Sequence, residues 1–139
     1  MNHFALDTDT LTLYQRGHAA VCARVFAAPA GTVAVTVVTV EEQLSGWYSQ
    51  VRKAKDIARL AWAYRRLAQN VRSLSQLAVL DYTEPAIRRC EQLIRMKLGV
   101  GRSDLRIAAI ALEHGAIVVT RNLTDFRRIP GLQVEDWSQ

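Results

Sequence analysis

With 139 residues, half of them hydrophobic, the chain has the size and apolar content of one folded domain, which excludes disordered and fibrous classes. Its formal charge of +5 and pI of about 9.7 make a polyanionic partner plausible without bearing on the fold. Cys22 and Cys90 have no CxxC spacing and read as core thiols of a reducing compartment, a single disulfide being the alternative; with no apolar stretch of about eighteen residues and no basic-then-apolar leader, a cytoplasmic protein off the membrane is expected.

The first predicted element is a short apolar strand, Phe4 to Leu6, ending on Asp7. "AVCARVFAA" after Gly17 has helical period, with Val21, Val25 and Phe26 on one side, and Pro29 and Gly31 break it. "TVAVTVVTV", residues 32–40, is β-branched nearly throughout and predicts a strand buried on both faces, running directly into the helix-like "EEQLSGWY". Apolar residues at Val51, Ala54, Ile57, Ala58, Ala61, Tyr64, Leu67, Ala68 and Val71 predict one long amphipathic helix over 51–71. "LAVLDY" at 77–82 predicts a short strand. In the helix that follows, Thr83 caps, Pro85 suits the first turn, and Ile87, Cys90, Ile94 and Leu98 share a face until Gly99 and Gly101 end it. Ser103 is the expected N-cap of "DLRIAAIALEHG", with Gly115 as its C-cap. "AIVVT" predicts another strand, and "RIPGLQVEDW" a loop with a short edge strand. Strands alternating with helices, without repeat or linker, predict a single α/β domain over 1–139 with a mostly parallel sheet.

That architecture gives the acids a common position. Asp7 follows the first strand, Glu42 the second, Asp104 opens a helix, and Asn122 with Asp125 follows "AIVVT". In an open parallel sheet the ligand crevice lies beyond the carboxyl ends of the strands, so these side chains can converge. Carboxylates sharing one pocket call for a proton or a cation, and oxygen donors without Cys or His favour Mg²⁺ or Mn²⁺ over zinc. Each acid also has a plain structural reading. Asp7 can serve only as an N-cap, and Glu42 and Asp104 as first-turn acids favoured by the helix dipole. Asp9 can reach a metal through water or cap the helix, and Glu41 points to solvent.

Two segments resemble PIN-domain nucleases. "LDTDTLTL" is similar to their opening LDTN motif, and "TVVTVEEQLSG" resembles their second motif, with Thr39, Glu42 and Gly46 at matching spacing. "GRSDLRIAAIALEHGAIVVTRNLTDFRRIPGLQVEDW" resembles the C-terminal part of VapC-type toxins of bacterial toxin–antitoxin pairs, and the likeness runs from Asp7 to Trp137. The resemblance implies a three-layer α/β/α domain and Mg²⁺- or Mn²⁺-dependent endoribonuclease activity. Asp7, Glu42 and Asp104 are the implied metal-binding acids, with Asp9 and Thr39 as secondary metal or water-orienting groups. Asp9 stands where the family usually has Asn, which adds a charge. Asn122 stands where many members place a fourth acid, so either three carboxylates hold the metal or Asp125 substitutes, with the Asn122 amide orienting a water or ligand. Hydrolysis by a metal-activated water would leave a 5′-phosphate and a 3′-hydroxyl.

His3, His18 and His114 show no acid/base pairing, which disfavours a metal-free, paired-histidine ribonuclease. Arg52, Lys53, Lys55, Arg59, Arg65, Arg66 and Arg72 read as the solvated face of the long helix. Arg102, Arg106 and Arg121, next to the acids in sequence, are the candidate RNA contacts. Trp47, Tyr48 and Trp62 can stack bases but read better as core or interface. Implied partners are RNA, a cognate antitoxin whose C-terminal segment covers the acidic pocket, and a second copy in a homodimer. The rivals are a non-catalytic PIN-like module that binds nucleic acid or protein, and an RNA-processing or DNA-cleaving nuclease without an antitoxin. An α/β phosphatase or response-regulator-like domain is disfavoured because "VVTRNLTDF" offers no Lys after a late strand.

Overall fold

A computed structural model describes residues 2–139. The strands β1 (Phe4–Leu6), β2 (Val33–Thr36), β3 (Ala78–Leu80), β4 (Ile117–Val119) and β5 (Val134–Glu135) form one sheet in the order β3-β2-β1-β4-β5. All its pairings are parallel, with Ala5 in register between Ala34 and Val118. Around it lie α1 (Thr8–Gln15), α2 (Ala19–Ala27), α3 (Val37–Lys53), α4 (Ile57–Leu74), α5 (Glu84–Arg95), α6 (Arg102–His114) and α7 (Leu123–Phe126).

Strand alternation produces the three layers. Ala5, Ala34 and Val118 face a core with Leu105, Ile107, Ala108 and Ile110 of α6 and with Ala86, Cys90 and Leu93 of α5. Their neighbours Leu6, Val35 and Val119 face the opposite core, with Leu11, Val21, Leu74 and Trp137. Both faces of each central strand are covered, which explains why these segments read as unbroken apolar runs. The fold is therefore the expected α/β/α sandwich. Both cysteines are free thiols, Cys90 buried and Cys22 half-buried.

The structure departs from the sequence reading in three respects. The β-branched run does not stay a strand to residue 40: Thr36, fully buried, turns it into α3 by accepting the Thr39 amide at 3.2 Å. Tertiary burial favours a helix for Val37–Val40 although their propensity favours a strand. The predicted helix over 51–71 is two helices, because α3 ends at Lys53 and Asp56 caps α4 by accepting the Arg59 amide at 2.7 Å. The two run antiparallel: Trp47 meets Trp62 edge-on at 5.6 Å, Gln50 Oε1 accepts from Arg59 at 3.3 Å, and Gln43 Oε1 accepts from Asn70 at 2.7 Å. As a result α4 buries Ala63, Asn70 and Leu74, leaving Ile57 (88% exposed), Leu60, Tyr64 and Val71 as an apolar row in solvent. Third, Phe26 lies outside the packed face of α2 that Val21 anchors, and Ile87 is exposed while Ala86, Cys90 and Leu93 face inward from α5.

The Thr36 cap separates the strand and helix readings directly. Thr36→Val preserves shape and would be harmless in a strand. As the loss of a buried N-cap it should destabilise the protein by about 1 kcal/mol, measured as a lower urea midpoint at unchanged m.

Candidate active site

The chain order placing β1 at the sheet centre, with β2 on one side and β4 on the other, puts a crevice beyond their carboxyl ends. A cleft of about 460 Å³ opens there, lined by Asp7, Thr8, Asp9, Glu42, Asp104, Arg121 and Asn122. The expected acids Asp7, Glu42 and Asp104, with Asp9, Arg121 and Asn122, thus come from four distant segments to one place.

Each side chain is held differently. Asp7 is 6% exposed and caps α1, its Oδ1 accepting the Thr10 amide at 2.8 Å. Burial pushes its carboxyl above the ordinary value, against hydrogen bonds from Thr120 and Thr10 that pull it down. Glu42, on the first turns of α3, accepts from Thr8 Oγ1 at 2.9 Å on one oxygen and from Ser103 Oγ at 2.8 Å on the other. Thr8 Oγ1 also lies 3.3 Å from Thr39 Oγ1, which is fully buried beneath the site. Asp104, on the first turn of α6, is half-buried; burial raises its carboxyl, and the charges of Asp7, Asp125 and Glu42 raise it further. Among the described residues it has no cationic partner within salt-bridge distance. Asp9 instead has one: Arg121 grips it with Nε and Nη2 at 2.7 and 2.8 Å and holds its carboxyl below the ordinary value.

Asn122 lines the cleft and donates Nδ2 to Asp125 Oδ2 at 3.0 Å, while Asp125 also lies 3.6 Å from Arg128. Thr39 and Asp125 thus support the lining without forming it. Arg102 and Arg106 are exposed on α6 and do not line the cleft. Sequence reasoning missed Thr8 and Ser103. Ser103 was expected to cap α6, but the helix starts at Arg102 behind Gly101 without a side-chain cap, and the Ser103 hydroxyl goes to Glu42. The histidines keep structural roles: His18 caps α2 through Nδ1, and His114 Nε2 sits 3.2 Å from the Asp81 carbonyl oxygen.

The donor set fits a hard divalent cation, since the cleft lining offers oxygen donors and no Cys or His. Among the described residues, no group of three or more Asp, Glu, His or Cys is gathered closely enough to enclose an ion. Asp7, Glu42 and Asp9 each accept hydrogen bonds from a nearby partner. At Asp7 and Glu42 those partners are neutral and leave the carboxylate charge available to a cation. At Asp9 the partner is a guanidinium.

The chain matches the PIN domain family over residues 5–132. It is 44% identical over 77 residues to the tRNA(fMet)-specific endonuclease VapC of Salmonella typhimurium, covering 52% of this chain and 58% of that protein. It is 33% identical over 70 residues to ribonuclease VapC2 of Rickettsia felis, covering 48% and 52%. The matches thus span little more than half the length of these relatives. A solved structure of DNA-bound VapBC from Salmonella typhimurium superposes with a TM-score of 0.78 at 32% identity, covering 99% of each chain. VapBC2 of Rickettsia felis bound to a promoter DNA fragment follows at 0.73 and 25%, covering 96% and 98%.

The Asp7 environment has a consequence for stability. A carboxyl raised in the folded state stabilises the fold fully below its unfolded value of 3.8 and loses that contribution as pH rises through the raised value. Asp7→Asn keeps an acceptor for the Thr10 amide and deletes the buried charge. In EDTA the variant should melt with the parent protein in acid and above it at pH 7, as thermal scans across pH will show.

Proposed function

The chain belongs to the PIN-domain family, and on that membership we propose that it is a divalent-metal-dependent endoribonuclease, the toxin of a toxin–antitoxin pair. The observation that carries the reading is the convergence of Asp7, Glu42 and Asp104 in one cleft at the carboxyl edge of the sheet. PIN nucleases generally depend on a divalent metal, and we assign Mg²⁺ or Mn²⁺ here on the all-oxygen donor set.

Asp7, Glu42 and Asp104 would hold the ion, and Thr8 and Ser103 would keep the Glu42 carboxylate turned into the cleft. Asn122 is the fourth polar group, its amide oriented by Asp125, so three carboxylates rather than four carry the charge. Asp9 and Thr39 are secondary to these. A bound divalent cation supplies an acidic water for hydrolysis and offsets charge building on the phosphodiester. Arg121 at the lip, with Arg102 and Arg106 farther along α6, would contact RNA phosphates. The tRNA specificity in the name of the Salmonella relative makes initiator tRNA the first substrate to test.

The likeness to the solved VapBC toxin–antitoxin complexes supports an antitoxin partner, and we assign a homodimer on membership of the family. The exposed row Ile57, Leu60, Tyr64 and Val71 on α4 supplies apolar surface for association. Among the described residues no helix is long and apolar enough to cross a membrane, and we place the protein in the cytoplasm.

Purified protein should cleave structured RNA in Mg²⁺ or Mn²⁺ and not in EDTA, with Asp104→Asn reducing the rate about 100-fold or more. Retained activity in Asp104→Asn, or cleavage in EDTA, would refute the assignment. Thr8→Val and Ser103→Ala should each weaken Mn²⁺ binding about ten-fold by calorimetry, because they free the Glu42 carboxylate to turn away. Co-expression of the neighbouring small gene should relieve growth arrest, and growth unaffected by that neighbour would count against the toxin setting.

A further inference from the structure

Asp9 and Arg121 are 112 residues apart and meet at the mouth of the carboxylate cleft, both among its lining residues. Their contact is a two-bond fork, Nε to one carboxylate oxygen at 2.7 Å and Nη2 to the other at 2.8 Å, which occupies both oxygens of Asp9. A cation drawing on Asp9 would have to displace a guanidinium whose shape matches that carboxylate. Asp7 and Glu42 present no such obstacle, since their partners are a backbone amide and hydroxyls.

The fork also fixes which part of Arg121 remains available. With Nε and one Nη2 hydrogen on Asp9, one Nη1 hydrogen and the outer Nη2 hydrogen form the adjoining, outward edge of the planar group. Among the described residues Nη1 has no hydrogen-bond partner. That second edge has the spacing that binds two oxygens of a phosphate. Held only by its flexible stem, the side chain would lose this orientation.

We infer that Asp9 is a positioning residue: it clamps the inner edge of Arg121 so that the outer edge receives an RNA phosphate at the cleft mouth. The inference rests on the nuclease reading for its substrate and adds a division of labour among the acids. Asp7, Glu42 and Asp104 serve the cation, whereas Asp9 serves the arginine. No proton or bond changes hands in this role.

The test compares the parent protein with Asp9→Asn, Arg121→Ala, Arg121→Lys and the Asp9→Asn/Arg121→Ala double variant. Three quantities are read: kcat and KM for Mn²⁺-dependent cleavage of tRNA, Mn²⁺ affinity by calorimetry, and affinity for the same tRNA in EDTA across a salt series. Arg121→Ala should raise KM and weaken binding in EDTA about ten-fold, and flatten the salt dependence by about one phosphate contact. Arg121→Lys should not rescue, because an ammonium cannot grip Asp9 and a phosphate along two edges. Asp9→Asn should lower kcat/KM about three-fold to ten-fold, add nothing in the Arg121→Ala background, and leave Mn²⁺ affinity within about two-fold. Multiplicative losses in the double variant, full rescue by lysine, or a ten-fold loss of Mn²⁺ affinity in Asp9→Asn would overturn the inference, the last making Asp9 a ligand. A parent protein that binds tRNA through Arg121 yet cleaves nothing would refute the nuclease reading and support this one.

Discussion

Mutual repulsion among carboxylates at one edge of a parallel sheet is the constraint on which the rest of the site depends. Asp7, Glu42 and Asp104 are delivered there by β1, by the start of α3 and by the start of α6, and Arg121, among the described residues the one cationic residue of the cleft lining, is paired with Asp9 instead. Asp104, the half-buried member, has its carboxyl raised first by burial and then by the charges of Asp7, Asp125 and Glu42. An isolated buried anion is costly, and a fold tolerates such a set where a ligand is to neutralise it. The surrounding polar groups follow from this. Thr10, Thr8, Ser103 and Thr120 place amide and hydroxyl dipoles around acids that cannot pair with one another.

The sheet tolerates this edge because its interior is unusually plain. β1, β2 and β4 place apolar side chains on both faces, and α6 buries an almost continuous Leu105–Ala111 segment against one of them. The close-packed core fixes the strand ends, and the strand ends fix the acids. A site assembled from residues 7, 42 and 104 needs this rigidity, since no local turn sets their separation.

The layers were legible in the sequence because parallel strands buried on both faces leave apolar runs separated by helical periods. The acids were legible because each follows such a run or opens a helix. What escaped were decisions made by side chains acting across the chain. Nothing in "TVAVTVVTV" marks Thr36 rather than Val40 as the point where strand becomes helix; the Thr36 hydroxyl and burial of Val38 decide it. Periodicity over 51–71 ran through the break at Asp56 because Ile57, Tyr64 and Val71 keep the apolar spacing on a face that does not pack within this chain. Ser103 has the right chemistry for a cap at the right place, and only the proximity of Glu42 redirects it. A hydroxyl serves whichever acceptor the tertiary fold brings nearest, and sequence spacing carries no record of that.

The departure at Asp9 makes the same point about charge. Replacing the motif's asparagine by aspartate adds a negative charge to a cleft already short of positive charge, a change that by itself works against folding. Arg121 returns one positive charge at the same lip, through a bidentate contact that consumes the added anion. The cleft thus retains the electrostatic balance of buried Asp7, half-buried Asp104 and exposed Glu42, and gains an oriented guanidinium. Because Asp9 lies on the first turn of α1, just after β1, and Arg121 lies just after the adjacent parallel strand β4, the register that aligns Leu6 with Val119 also brings the carboxylate to its arginine. Sheet topology, rather than local sequence, makes the pair.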